Sequence, residues 1–187
     1  LNYKYYMLPG ILGILVTAIG FLLAGLNLVR EKEIGTIEQI NVTPVRKYHF
    51  IIAKMVPFLL IGLVDLALGL VLGKLAFNIP FEGSIALLFL CSAIFMVAVL
   101  GLALFISTFS SSQQQFMFVA FFFMIIFILM SGVFTPLESM PQWAQKIDVI
   151  NPLAYLMRIN RMVMLKGSTI HDIARDIYAL ILIAITF

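Results

Sequence analysis

A single cysteine, Cys91, stands in the 187 residues, and it lies inside an apolar run. That excludes a disulfide framework and a thiolate metal site. The two histidines, His49 and His171, fall in different segments, so a histidine-based metal site has no support either. Charge is scarce: 11% of residues are Asp, Glu, Lys or Arg, and the formal net charge is only +3, so the basic balance gives no support to a nucleic-acid partner, and none is expected. No GxxxxGK[ST] phosphate loop occurs, so the chain is not expected to hydrolyse ATP itself. No Ser/His/Asp set or enclosed carboxylate pair suggests catalysis. What the chain has in excess is apolar surface. It is 63% hydrophobic with a mean hydropathy of +1.11, against about 45–50% apolar for an ordinary soluble domain. So small a globule cannot hide that much, and lipid must serve as the solvent.

The apolar residues fall in long continuous runs without period-2 alternation, which means helices rather than barrel strands. The spans are expected at about 7–29, 44–73, 85–109 and 113–134, with a fifth beginning near residue 170 and cut short at 187. An all-α membrane protein follows, a polytopic helical bundle forming one partial transmembrane domain over 1–187. The chain opens on Leu1 and stops within an apolar run, which reads as a fragment of a longer protein. The punctuation agrees. Thr43-Pro44 and Asn151-Pro152 place a cap residue before a proline at the first helical position. Ser84 can cap the third span and Ser111 or Ser112 the fourth. Thr169–Asp172 has capping-box spacing, and Lys166-Gly167 is a helix stop.

Three features interrupt the apolar pattern. The first is Arg30–Pro44, REKEIGTIEQINVTP, which carries five charges in its first nine residues. Ile34, Ile37 and Ile40 would form a narrow stripe on a short helix, with Glu31, Glu33 and Glu38 off it. Read from the residues alone, this is either a surface gripped by a partner or a solvated loop with snorkelling ends. The second is Asp65, within the second span. A charge there costs about 2.5–3.5 kcal/mol on the insertion scale, so it faces protein or water. It is a translocation or proton site, or a packing residue. Lys54, eleven residues earlier, lies roughly 16 Å away along the same helix and cannot pair with it. The third is the segment 135–169, with Pro136, Pro141 and Pro152, the lone Trp143, and the interrupted pattern of Pro152–Leu165. That pattern reads as an interfacial or re-entrant helix. Counting lysines and arginines does not settle the orientation. The phenylalanines of the fourth span fall all round its helix; they serve lipid contact and packing, or form an aromatic drug-binding wall. Gly69 and Gly73 form a small-xxx-small pair that lets helices approach.

REKEIGTIEQINVTPVRKYHFIIAK resembles the first cytoplasmic loop of ABC-2 type permeases, nearest to the drug-exporter subclass typified by the daunorubicin-resistance permease. Arg30, Glu31, Glu33, Gly35, Thr36, Glu38, Gln39, Thr43 and Pro44 match that family's pattern position by position. Ser107–Met117 resembles its later inner loop. Ser131–Pro141 and Ile150–Arg161 resemble its outer segment. The resemblance implies a cytoplasmic coupling helix over 30–44 and an outer re-entrant segment, with Pro136, Pro141, Asn151, Pro152, Tyr155 and Arg158 at an outer gate. It implies an exporter subunit for a drug-like or lipid-like substrate in a bacterial inner membrane. Its partners would be a cytoplasmic ATP-binding subunit that carries ATP and magnesium, a second permease (the same or a paralogue), membrane lipid and, in some systems, a periplasmic adaptor. The alternatives are a secondary transporter or channel using Asp65 as its ion site, and a non-transporting membrane scaffold.

Overall fold

The computed structural model describes residues 3–36, 46–77, 83–134 and 140–186. The first spanning helix is built from α1 (Tyr3–Ala18), a five-residue π-helical turn (Ile19–Leu23) and α2 (Ala24–Glu33), continuous along one rod. The widened turn is preceded by Thr17, whose hydroxyl donates back to the Gly13 carbonyl at 2.6 Å. It carries the fully buried Phe21, whose ring lies 6.3 Å from that of Phe127. The remaining helices are α3 (Lys47–Phe77), α4 (Ile85–Phe109), α5 (Gln113–Met130), α6 (Gln142–Asp148), α7 (Pro152–Lys166) and α8 (Ile170–Thr186).

Four of these stretches are long and apolar enough to cross a membrane: Met7–Glu33, Tyr48–Leu75, Ile85–Phe109 and Gln113–Met130. They match the four expected spans, and no strand occurs among the described residues. The expected second helix was to start at Pro44. The described helix starts at Lys47, and the Thr43-Pro44 cap lies outside the described residues. The other caps are found. Ser84 accepts from the Leu87 amide at 3.4 Å and Ser112 from the Gln115 amide at 3.2 Å. The Asp172 carboxylate accepts from the amide and hydroxyl of Thr169. Gly167 stops α7 in a left-handed conformation, φ 61°, which is where glycine is favoured.

α4 is the centre of the bundle. It packs on the first spanning helix, α3, α5, α7 and α8, and Cys91, Phe95, Met96, Ala98 and Ala103 on it are wholly enclosed. By contrast, only 17% of the apolar window of α3, and of α5, is buried. Leu60, Val64, Leu68 and Leu72 on α3 and Phe118 and Phe122 on α5 are open. A soluble monomer rarely carries apolar patches of that extent, and a lipid-facing surface does. Inside lipid the hydrophobic effect does not hold helices together. Close van der Waals contact and interhelical polar bonds do.

The glycines supply the close contact. A Cβ on Gly69 or Gly73 would meet the side chains of Leu12 and Leu8 on α1, so the small pair of α3 does seat a neighbouring helix. Gly25 receives the Phe116 ring of α5 edge-on, and a Cβ there would overlap it. Phe116 is fully buried and has no room to retreat. Gly25→Ala is therefore expected to destabilise the protein by about 1–3 kcal/mol through overpacking, read as a drop in the thermal midpoint in detergent. An unchanged midpoint would contradict the packing described.

The helices run alternately between two ends. One end holds the close of α2, the start of α3 and the α4–α5 turn. The other holds the start of α1, the close of α3 and the turn after α5. α7 stays at this second end. Its residue Arg161 donates to the Gly132 carbonyl at 2.8 Å, and the Val163 backbone abuts Gly83, just before α4. Yet α7 is not a surface helix. Apart from Arg158 and Lys166, every residue in it is buried or half-buried.

Candidate functional site

The first residues of the charged island belong to the preceding helix. Arg30–Glu33 are the last turn of α2, and the rod stops at Ile34–Gly35. Gly35 has φ 77°, a conformation that side chains rarely adopt, and its amide bonds the Lys32 carbonyl at 3.2 Å. Thr36 is described and half-buried. Glu38, Gln39, Thr43 and Pro44 lie outside the described residues, as does Pro136.

Three consecutive residues of that last turn each reach a different helix. Glu31 forms an ion pair with Lys54 of α3. The Lys32 ammonium donates to the carbonyls of Thr108 and Ser110, both at 2.9 Å, at the end of α4. Those carbonyls belong to the set a helix end leaves unsatisfied, and a cation is favoured at that negative pole. The Glu33 carboxylate accepts from the Gln113 amide at 2.6 Å, at the first residue of α5. The SSSQQQ stretch makes this possible. Ser112 caps α5, the Gln115 side chain folds back onto Ser111, and Gln113 is left to face α2. One turn of helix thus ties all four spanning helices together at one end. Arg30 is exposed.

At the opposite end a second polar cluster surrounds the start of α7. The Asn151 amide donates to the Phe127 carbonyl and to the Asp148 carboxylate, both at 3.0 Å, while its oxygen accepts from the Leu153 amide at 3.1 Å. Pro152 follows at the first helical position, and Pro141 opens α6. The Tyr155 hydroxyl donates to the Val149 carbonyl at 2.9 Å. The Arg158 guanidinium lies 4.9 Å from the Tyr155 ring centre and pairs at 3.4 Å with Asp176 of α8. Burial pushes the Asp148 carboxyl up to about 6, against the opposing pull of the Asn151 amide and the Arg158 charge. The expected outer residues Asn151, Pro152, Tyr155 and Arg158 are therefore brought together.

Asp65 stands apart from both clusters. It is half-buried between the enclosed Gly62 and Leu66, and its Oδ2 has no hydrogen-bond partner among the described residues. Lys54 does not reach it, as the helix spacing required, and goes to Glu31 instead. No group of three or more potential metal ligands occurs among the described residues.

Several participants were not singled out from the sequence: Lys32, Gln113, Asp148 and Asp176. Lys32 alternates with the two glutamates, which is the one signal that could have marked it. The others become visible only when distant helices meet.

The whole chain, residues 1–187, matches the ABC-2 family transporter protein family. The chain belongs to the ABC-2 transporter family. As a family member with four spanning helices, it is a multi-pass membrane protein. It is 32% identical over 186 residues to a probable multidrug ABC transporter permease of Escherichia coli K12, YbhR, covering 100% of this chain and 50% of that protein. A second permease of the same description and organism, YbhS, is 27% identical over 98% of this chain and 49% of its own length. The Escherichia coli inner membrane transport permease YhhJ is 31% identical over 82% of this chain and 41% of its own. The chain thus spans about half the length of these relatives. No solved structure matches it.

Proposed function

We propose that this ABC-2 chain is the membrane-embedded part of an exporter permease driven by a separate ATP-binding subunit. The observation that carries the proposal is the triple tie of Glu31, Lys32 and Glu33 to α3, α4 and α5. A segment at this point would not move one helix. It would move the near ends of four. The reading is supported by one relative described as a probable multidrug ABC transporter permease and another described as an inner membrane transport permease. In this scheme the stretch from Thr36 to Pro44 presents Glu38 and Gln39 to the ATP-binding subunit, which holds ATP and magnesium. The anchor Arg30–Glu33 passes the motion on to the bundle. A second permease copy or paralogue completes the pathway, and the cluster around Asn151, Tyr155 and Arg158 closes its outer end. The cargo is drug-like or lipid-like, and the membrane is the bacterial inner membrane. ATP binding shifts such an equilibrium only through contacts that differ between its states.

The anchor and the grip are separable by mutation. Lys32→Met in the full-length transporter is expected to leave the ATP-binding subunit bound while transport per ATP hydrolysed falls several-fold. Glu38→Lys is expected to weaken association of that subunit itself. Co-purification and paired transport and hydrolysis assays in proteoliposomes read both. Unaltered transport per ATP in Lys32→Met, with unaltered association in Glu38→Lys, would remove the segment from the coupling route.

A further inference from the structure

The second end of the bundle holds a cavity of about 310 Å³ between α6, α7 and α8. That is the small end of the range for ligand pockets, too small for a drug-sized body but sufficient for a headgroup. Its lining carries four charges. Two of them, Arg158 and Asp176, neutralise each other in an ion pair, and Arg158 is held further over the Tyr155 ring. The other two are left over. Asp148 is 4% exposed, and its one hydrogen-bond partner among the described residues is the Asn151 amide. Arg175 is exposed and makes no hydrogen bond or ion pair among the described residues. One wall therefore offers a largely buried carboxylate and the other an exposed guanidinium, whose charge also acts on Asp176 and Tyr155. Val149 and Ala179 supply the apolar remainder of the lining.

α8 continues the pattern away from the cavity. Arg175, Tyr178, Leu182 and Ile185 fall at i, i+3, i+7 and i+10, on one face of the helix. Tyr178, Leu182 and Ile185 are 73%, 67% and 80% exposed. A cation at the headgroup end of an open apolar stripe fits an amphiphile whose chain lies along the helix.

We propose that this cavity binds the headgroup of a zwitterionic phospholipid bearing a primary amine, with the ammonium on Asp148, the phosphate on Arg175 and the acyl chain along Tyr178, Leu182 and Ile185. The site is independent of the coupling route. Burial of Asp148 gives a second reason for the assignment. A carboxyl raised to about 6 is harder to ionise than in the unfolded chain, so the native state holds its proton more tightly. Stability then falls as pH rises from about 4 towards 6, and the ionised group burdens the fold at neutral pH. A bound ammonium offsets that burden. The groups that line the cavity with Asp148 are Tyr155 and Arg158 from α7 and Arg175 and Asp176 from α8, with Gln145 on its own helix, and Asn151 bonds it from the cap of α7. α5, which also packs on α6, contributes no titratable residue.

The test is lipid retention by the full-length protein, purified into mixed micelles with phosphatidylethanolamine, phosphatidylcholine and phosphatidylglycerol and read by native mass spectrometry. At pH 7.5 the wild type is expected to retain phosphatidylethanolamine over the other two, with the preference fading below pH 6 as Asp148 takes its proton. Asp148→Asn should erase the amine preference, with about a tenfold loss, the worth of one charge-assisted bond. Arg175→Gln should weaken retention of all three. Asp148→Asn removes a buried ionised group, so its thermal midpoint at pH 7.5 should not fall, which separates lost binding from lost fold. Equal retention of the three lipids by the wild type, or unchanged retention in both variants, would overturn the proposal. Displacement by soluble phosphoethanolamine at concentrations near those of the lipid would overturn the lipid as occupant and leave a site for a free zwitterion.

Discussion

Lys54→Met is expected to be among the most damaging single changes in the spanning bundle, lowering stability by about 2–3 kcal/mol. The reason lies in Glu31. Its side chain is 15% exposed, its Oε2 is enclosed without a partner among the described residues, and its Oε1 depends on Lys54. Removing one member of a fully buried pair costs about 3–5 kcal/mol, because the other charge is stranded. Lys54 keeps 30% of its side-chain surface, so solvent softens the loss and the lower figure applies. The double variant Glu31→Gln with Lys54→Met removes both charges and should recover most of the stability. Thermal unfolding in detergent reads the pair. A double variant no more stable than Lys54→Met would contradict the account of Glu31 as a stranded charge.

Asn151→Ala is expected to cost a similar amount, about 2–3 kcal/mol, from a residue that carries no charge. Its side chain makes three bonds at once, to the Phe127 carbonyl, the Asp148 carboxylate and the Leu153 amide. Loss of a helix cap alone costs about 0.5–2 kcal/mol. The Phe127 carbonyl keeps the Ser131 amide as a donor, so loss of its bond to Asn151 adds only about 0.5–1.5 kcal/mol. The Asn151 amide also holds the Asp148 carboxyl down against burial, so its loss should move that group further above 6. The destabilisation should accordingly be larger at pH 8 than at pH 5, where Asp148 is protonated in both proteins. Asn151→Asp keeps the cap but sets a second carboxylate beside Asp148, and it should also be worse at high pH. Equal losses at both pH values would separate Asn151 from Asp148.

The spanning helices were legible because lipid imposes one rule on every position of a span, and the caps at Ser84, Ser112, Asn151 and Gly167 are local in sequence. The charged island was legible as a special segment, but not in its construction. Its first four residues belong to the preceding rod, because α2 stays helical until the turn at Gly35. The sequence could say that Lys54 does not pair with Asp65, since both lie on one helix at a known rise. It could not say that Lys54 pairs with Glu31, because that depends on how two helices are rotated against each other. The same holds for Arg158 with Asp176, eighteen positions apart. The interrupted pattern of Pro152–Leu165 suggested an interfacial or re-entrant helix. In the structure its polar residue Asn160 is fully buried, Arg161 is half-buried with its guanidinium on the Gly132 carbonyl, and α7 is packed on several sides. Polar residues that serve a protein interior and those that face headgroups leave the same mark in a sequence.

The central claim is that the last turn of α2 transmits force from an ATP-binding subunit to the spanning helices. It is tested most directly by the amount of substrate moved per ATP hydrolysed in reconstituted full-length transporter, compared across wild type, Glu31→Lys, Lys54→Glu and the double charge swap. The account predicts that each single reversal sharply lowers this ratio while hydrolysis continues, and that the swap restores most of it. A ratio unchanged in both single variants, with the proteins folded and the ATP-binding subunit attached, would contradict it.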